Sequence, residues 1–231
     1  MPTEKEVYDS HADQYERLIL REDCNNNLPQ AIDRIKNTTG LDIIELGAGT
    51  GRLTRFLADG ARSIAASDLS LHMLATARDV LQQQKATNNT ALCVADMRHT
   101  PYADHSADLI IAGWSFCYLA VWGEKKWKNE LEAGLDEARR LLRPGGVLIL
   151  LENYGTGFES PHPPPHLDPY FQYLRETGFQ ETWIRTDYAF RDLDESVELS
   201  GFFFGEEMAA KAQKHGWTSL PECTGVLWKK F

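Results

Sequence analysis

Five residues, Asp42-Ile43-Ile44-Glu45-Leu46, run straight into Gly47-Ala48-Gly49-Thr50-Gly51, and few folds accommodate such a junction. The run is too apolar for a surface strand and reads as one covered on both faces, as in a parallel sheet. Alternate glycines let the backbone turn sharply and let a ligand press against the main chain. A helix beginning near Arg52 then offers its first amides to a negatively charged group. Downstream, short apolar runs at 63–67, 91–95, 108–113 and 147–152 alternate with amphipathic stretches. In the stretch 70–84, Met73, Leu74, Ala77, Val80 and Leu81 recur at the helical period behind Ser70, a potential cap. A second stripe, Trp127, Leu131, Leu135, Ala138 and Leu142, stops at Arg143-Pro144-Gly145-Gly146. This alternation predicts an α/β fold, a doubly wound and mostly parallel sheet with covering helices.

The flanks are less regular. Residues 1–37 read as polar helices carrying Tyr8 and Tyr15. After the fifth strand comes a long loop, 153–168, with the run Ser-Pro-His-Pro-Pro-Pro-His. A helix at 169–177, a strand at 182–190, a helix at 205–215 and a last strand at 225–230 complete the chain. We expect one domain over 1–231, with 1–37 as a helical N-terminal cover and 153–178 as a lid-like insert. Gly155 and Gly157 would give the insert a hinge, and three consecutive prolines would stiffen its middle.

Composition narrows the function classes. With 42% hydrophobic and 25% charged residues, the chain can bury a core and remain water-soluble. Its net charge of −10 disfavours a polyanionic substrate such as RNA or DNA. Lys125-Lys126-Trp127-Lys128 is flanked by Glu124, Glu130 and Glu132 and reads as a solvated helix face. Four scattered cysteines form no metal-ligand pair, so neither a metal site nor a disulfide framework is expected. A polar start without an apolar segment makes the cytoplasm the expected compartment.

Two more acids end strands. Asp68 lies about 20 residues beyond the glycine loop, where a carboxylate can accept bonds from ribose hydroxyls. Asp96, with Met97 beside it, closes the third strand, and Gly113 to Tyr118 close the fourth at the edge where open α/β sheets bind ligands. A nicotinamide site is the sharpest rival, but its fingerprint needs a small residue where this chain has Arg52.

At these residues the chain resembles the class I, S-adenosylmethionine-dependent methyltransferase family, in its small-molecule, type 11/25-like branch. Glu45, Gly47, Gly49 and Gly51 match the family's acid followed by GxGxG, and the Leu141 to Leu148 turn is similar to its approach to strand five. The resemblance implies seven strands with the last antiparallel, and S-adenosylmethionine as cofactor with S-adenosylhomocysteine as product. It also implies a cofactor site of Glu45, Gly47, Ala48, Gly49 and Gly51 at the amino-acid end. Asp68 and Leu69 would lie at the ribose, Asp96 and Met97 at the adenine, and Trp114 at the acceptor side. Tyr8, Ala12 and Tyr15 resemble the family's N-terminal segment that folds over the cofactor. The implied activity is methyl transfer to a small-molecule acceptor. Alternatives are an RNA-modifying methyltransferase and a non-catalytic cofactor-binding protein. If the acceptor must lose a proton, the candidate bases are His162, His166, Tyr154 and Glu152.

Overall fold

The computed structural model describes Glu6, Tyr8 and residues 10–84 and 88–231. Strand β1 (Asp42–Leu46) lies at the centre of a seven-stranded sheet. It pairs in parallel with β2 (Ser63–Asp68) on one side and β4 (Ala107–Gly113) on the other. Outside these lie β3 (Thr90–Val94) and β5 (Leu142–Thr156), also parallel. Strand β9 (Glu222–Lys230) runs antiparallel between β5 and β6 (Gln180–Arg185), giving the order β3-β2-β1-β4-β5-β9-β6. The strand order reverses between β1 and β4, and this opens a crevice at the carboxyl ends of the strands.

Successive strand residues face opposite sides, so each central strand feeds two cores. Ile44, Ile110 and Leu148 pack with Leu131 and Ala138 of α6 (Trp127–Leu141) and Phe171 and Leu174 of α7 (Asp168–Glu176). Ile43, Leu109 and Ile149 pack on the other face with α2 (Asn27–Ile35), α3 (Arg52–Leu57) and α4 (Leu71–Gln83). Burial on both faces explains why these strands read as unbroken apolar runs. The Ser70 hydroxyl caps α4 by accepting from the Met73 amide, as its position predicts.

A smaller cluster forms a cap over the crevice. Leu18 of α1 (Ala12–Ile19) packs with Tyr188, Phe190, Leu199 and Leu220. Tyr188 lies in β7 (Tyr188–Ala189) with Phe190 just beyond it, Leu220 in β8 (Ser219–Leu220) and Leu199 in α8 (Leu193–Phe204), which α9 (Glu206–His215) follows. Short α5 (Tyr118–Val121) stands beside the mouth.

The structure departs from the sequence expectations at two elements and adds detail at a third. The strand expected at 182–190 breaks: Arg185 turns back onto Asp187, and Tyr188 leaves the sheet to pair with Leu220. Helix α8 was not foreseen, because its polar first half and aromatic end carry no clear stripe; Asp192 caps it through the Glu195 amide. The third concerns the insert at 153–178. Its first residues continue β5, with Asn153 opposite Thr224 and Thr156 opposite Glu222. The loop that remains is tied by the Gly157 amide to Pro221, the His162 amide to Tyr154 and Arg185 to the Glu159 carbonyl. These bonds anchor the loop, and Asn153, Pro164, His166 and Leu167 of the insert line a cavity in the crevice. The broader cover over the crevice comes from α1 and the end of α8. Among the described residues, no helix is long and apolar enough to cross a membrane.

Candidate functional site

The glycine loop is shaped by β2. The Gly47 and Ala48 amides both donate to the Ser67 carbonyl, at 2.8 and 2.9 Å. Gly47 sits at φ +74°, and a Cβ there would collide with Ser115, whose hydroxyl holds the Leu46 carbonyl. Gly49 lies at φ +55° with open space where a Cβ would be, so its backbone is accessible to a ligand. Its amide donates to Asp68 Oδ2 at 2.8 Å, and the Ser70 amide donates to Asp68 Oδ1 at 2.8 Å. Each carboxylate oxygen thus retains acceptor capacity beyond one backbone bond. Burial raises the Asp68 pKa, opposed by these amides.

A cavity of about 440 Å³ opens beside this carboxylate. Of the residues expected at the cofactor, Gly47, Gly49, Asp68 and Leu69 line one part of it. Asp96, Met97 and Trp114 line another, and Tyr8 and Tyr15 close it from above. Arg98 holds both oxygens of Asp96 and also reaches Glu130, which keeps the Asp96 pKa low. The covering tyrosines are fixed by α1: Glu16 accepts from the Thr50 hydroxyl and from Arg55, docking the helix on the glycine loop. Tyr8 is held by its carbonyl on the Ser70 hydroxyl and its own hydroxyl at 2.9 Å from that of Tyr118.

Three expected residues do not reach this cavity. Glu45 is buried in the core, bonded to the Thr54 hydroxyl, and burial pushes its carboxyl up to about 8. Its side chain braces α3 against β1. Ala48 and Gly51 are buried in the turn, shaping it through the bond from the Gly51 amide to the Ala48 carbonyl.

A second, inner cavity of about 150 Å³ shares Tyr8, Tyr15, Trp114 and Tyr118 with the first. Trp114, at φ +50°, stands at the end of β4 with the Arg52 guanidinium 3.8 Å from its ring centre. Arg52 pairs with Glu22 Oε2 at 2.6 Å, and the same oxygen accepts from Tyr188 at 2.8 Å. Glu152 Oε1 accepts from the Cys117 amide at 3.1 Å and the Tyr170 hydroxyl at 2.7 Å. Burial pushes the Glu152 carboxyl up to about 7. Four buried atoms here have no hydrogen-bond partner: Glu22 Oε1, Arg52 Nη2, Glu152 Oε2 and Glu222 Oε2. All four side chains line the inner cavity.

The candidate bases separate on this geometry. Glu152 faces the inner cavity, and His166 stands at its rim. His162 stacks on Phe158 away from both cavities. Tyr154 is turned to the sheet edge, donating to Glu181 and packed on Phe171. Glu22 and Glu222 escaped sequence reading: 200 positions separate them, at a helix exit and a strand start, without a motif. Arg52 gave a signal only as the residue that spoils a dinucleotide fingerprint.

A glycine loop with a strand-end acid beside it, at the switch point of a seven-stranded sheet, defines the class of doubly wound proteins that hold nucleoside-bearing ligands. A methyltransferase-domain family model matches residues 44–150. Malonyl-[acyl-carrier protein] O-methyltransferase of Pectobacterium atrosepticum is 35% identical over 112 residues, which are 48% of this chain and 38% of that protein. The chain thus spans well under half the length of that relative. Among solved structures, a methyltransferase of Bacillus halodurans superposes with a TM-score of 0.58 at 15% identity, over 89% of this chain and 98% of that one. An S-adenosylmethionine-dependent methyltransferase of Aquifex aeolicus gives 0.57 at 14% identity, over 87% and 88%. Residues 44–150 thus carry a methyltransferase domain, and the whole chain has the fold of these solved methyltransferases.

Proposed function

We propose that this protein transfers the methyl group of S-adenosylmethionine to a small molecule seated in the inner cavity. The observation that carries this reading is the wall of Tyr8, Tyr15, Trp114 and Tyr118 common to both cavities, which sets a cofactor and an acceptor side by side. The residues fit the cofactor. The outer cavity lies within the usual range for ligand sites, ~300–1,000 Å³. The open backbone at Gly49 accepts close approach, and Asp68 keeps lone pairs for two ribose hydroxyls. Met97 and Leu69 offer apolar flanks for a purine, and Asp96 an acceptor for its exocyclic amine.

When bound, S-adenosylmethionine supplies an electrophilic methyl group on a sulfonium sulfur. The protein's own contribution is alignment, because the leaving group departs neutral and needs no acid. The aromatic wall and the end of α8, with Phe203 and Phe204, exclude water from the line between donor and acceptor. Glu152, held through one oxygen by Cys117 and Tyr170, keeps the other without a partner and is the candidate to receive a proton where the acceptor carries one. His166 at the rim is the second candidate for that step. The acceptor does not follow from the curated relative, which acts on a malonyl-carrier protein. Glu22, Glu152 and Glu222, which shape the inner cavity, all lie outside the matched span of 44–150.

S-adenosylhomocysteine is expected to raise the melting temperature, and NAD to leave it unchanged. Methyl-labelled S-adenosylmethionine incubated with a metabolite extract should mark a small molecule. Label entering RNA instead, or no shift with S-adenosylhomocysteine, would overturn the reading.

A further inference from the structure

We infer that the methyl acceptor is a small amine, received as an ammonium by the inner cavity. The inference rests on the methyl-transfer reading and concerns the half of the site that faces away from the cofactor. Glu22, Glu152 and Glu222 bring three carboxyls to a space of about 150 Å³, against the single guanidinium of Arg52. Arg52 is already matched to Glu22 at 2.6 Å. Among the described residues Glu152 and Glu222 form no ion pair; both line the cavity, and each has one buried carboxylate oxygen without a hydrogen-bond partner.

Leaving a buried carboxylate unpaired is costly, and such groups are normally paired or protonated. Burial raises the pKa of all three carboxyls, and the charge of Glu22 raises that of Glu222 further. An arriving ammonium reverses this: it supplies the missing positive charge and up to three donors for three waiting oxygens. The rest of the wall suits the same guest. Tyr15, Tyr188 and Phe203 line the cavity with aromatic rings, whose faces attract a desolvated cation. A carboxylate acceptor would add a further anion to three carboxyls. A neutral alcohol could donate one bond but would leave the charge uncompensated. The free Nη2 of Arg52 suits an oxygen elsewhere on the amine.

The transfer balances with these groups. The ammonium gives one proton to Glu152 Oε2, which burial has tuned to about 7, and so recovers its lone pair. The amine nitrogen then forms a bond to the methyl carbon as the carbon–sulfur bond breaks. The electron pair of that bond stays on sulfur as a neutral thioether, and the nitrogen carries the positive charge as a methylammonium. Glu152 afterwards releases its proton to solvent.

The test compares three guests of matched size, n-butylamine, n-butanol and butyrate, on protein saturated with S-adenosylhomocysteine. Melting shifts and calorimetry give the affinities. Butylamine should bind at least tenfold more tightly than either of the others. Glu222→Gln, which keeps shape and removes charge, should erase that preference while leaving S-adenosylhomocysteine affinity within twofold. Glu152→Gln should likewise weaken butylamine binding and in addition lose transfer of labelled methyl to butylamine at saturating amine. Equal or tighter binding of butanol or butyrate would overturn the inference. So would no amine response, or amine preference intact in Glu222→Gln. In each of these cases an undiminished S-adenosylhomocysteine shift would leave the methyl-transfer reading standing. Absence of that shift would strike the methyl-transfer reading itself.

Discussion

Asp68 links the fold of the glycine loop to the binding of the nucleoside, and its removal should be felt in both. In the ligand-free protein its two oxygens accept from the Gly49 and Ser70 amides, both at 2.8 Å. Asp68→Ala leaves those two donors to whatever water enters; an abandoned, largely buried donor costs ~1–3 kcal/mol. Because water can reach them through the open cavity, we expect about 2–4 kcal/mol of lost stability in total, near the lower half of that sum. The cofactor loses more specifically. Bonds from ribose hydroxyls to a carboxylate are worth ~1.5–3 kcal/mol each, and 1.4 kcal/mol is a factor of ten. The loss of even one bond therefore predicts roughly 10- to 100-fold weaker S-adenosylhomocysteine binding. Asp68→Asn keeps one oxygen but points an NH₂ group at a backbone N–H, donor against donor. It should fall between wild type and Asp68→Ala in both properties. Titration calorimetry with S-adenosylhomocysteine and urea unfolding measure the two effects on the same preparations. A folded Asp68→Ala protein with wild-type melting and affinity within twofold of wild type would refute the reasoning.

Gly47→Ala places a Cβ at positive φ and against Ser115; strain and overlap together should cost about 2–4 kcal/mol in urea unfolding. Phe203→Ala should open the inner cavity, cutting acceptor turnover at least tenfold while S-adenosylhomocysteine affinity, measured by calorimetry, stays within twofold. The carboxyls of Glu45 and Glu152 are raised by burial to about 8 and about 7. A raised acid binds its proton more tightly folded than unfolded, so the stability it contributes is complete below its ordinary pKa and is lost as pH climbs through the raised value. The melting temperature should accordingly fall from about pH 4.5 to about pH 8 and then level off, and Glu45→Gln should flatten most of the decline between pH 7 and pH 8; an unchanged slope in that variant would remove Glu45 as its source.

Most of the sheet was legible because its signals are local. The strand Asp42–Leu46 matches the expected bounds, and the helix expected at 70–84 runs from Leu71 to Gln83. Burial on both faces demands unbroken apolar runs, and covering helices demand a stripe at their own period. The cofactor end was legible for a related reason. Backbone at positive φ needs glycine, and a strand end at a switch point places its acid beside the loop. The sequence by itself therefore determined the doubly wound sheet and marked nine of the residues that line the outer cavity.

Only the tertiary structure decided the rest. Glu45 stands within the motif, yet its side chain points into the core; the strand's pleat sends it towards Thr54. Tyr154 shares the sheet edge with Glu181, and His162 stacks on Phe158, so neither meets the cavities that their positions in sequence suggested. The inner cavity has no linear signature at all. Glu22 leaves α1, Arg52 opens α3, Glu152 lies in β5 and Glu222 begins β9, and the antiparallel return of β9 beside β5 is what brings the last two together. Periodicity records which face of one element is apolar. It holds no record of which distant polar atoms will share a buried space, because that depends on how several elements pack at once.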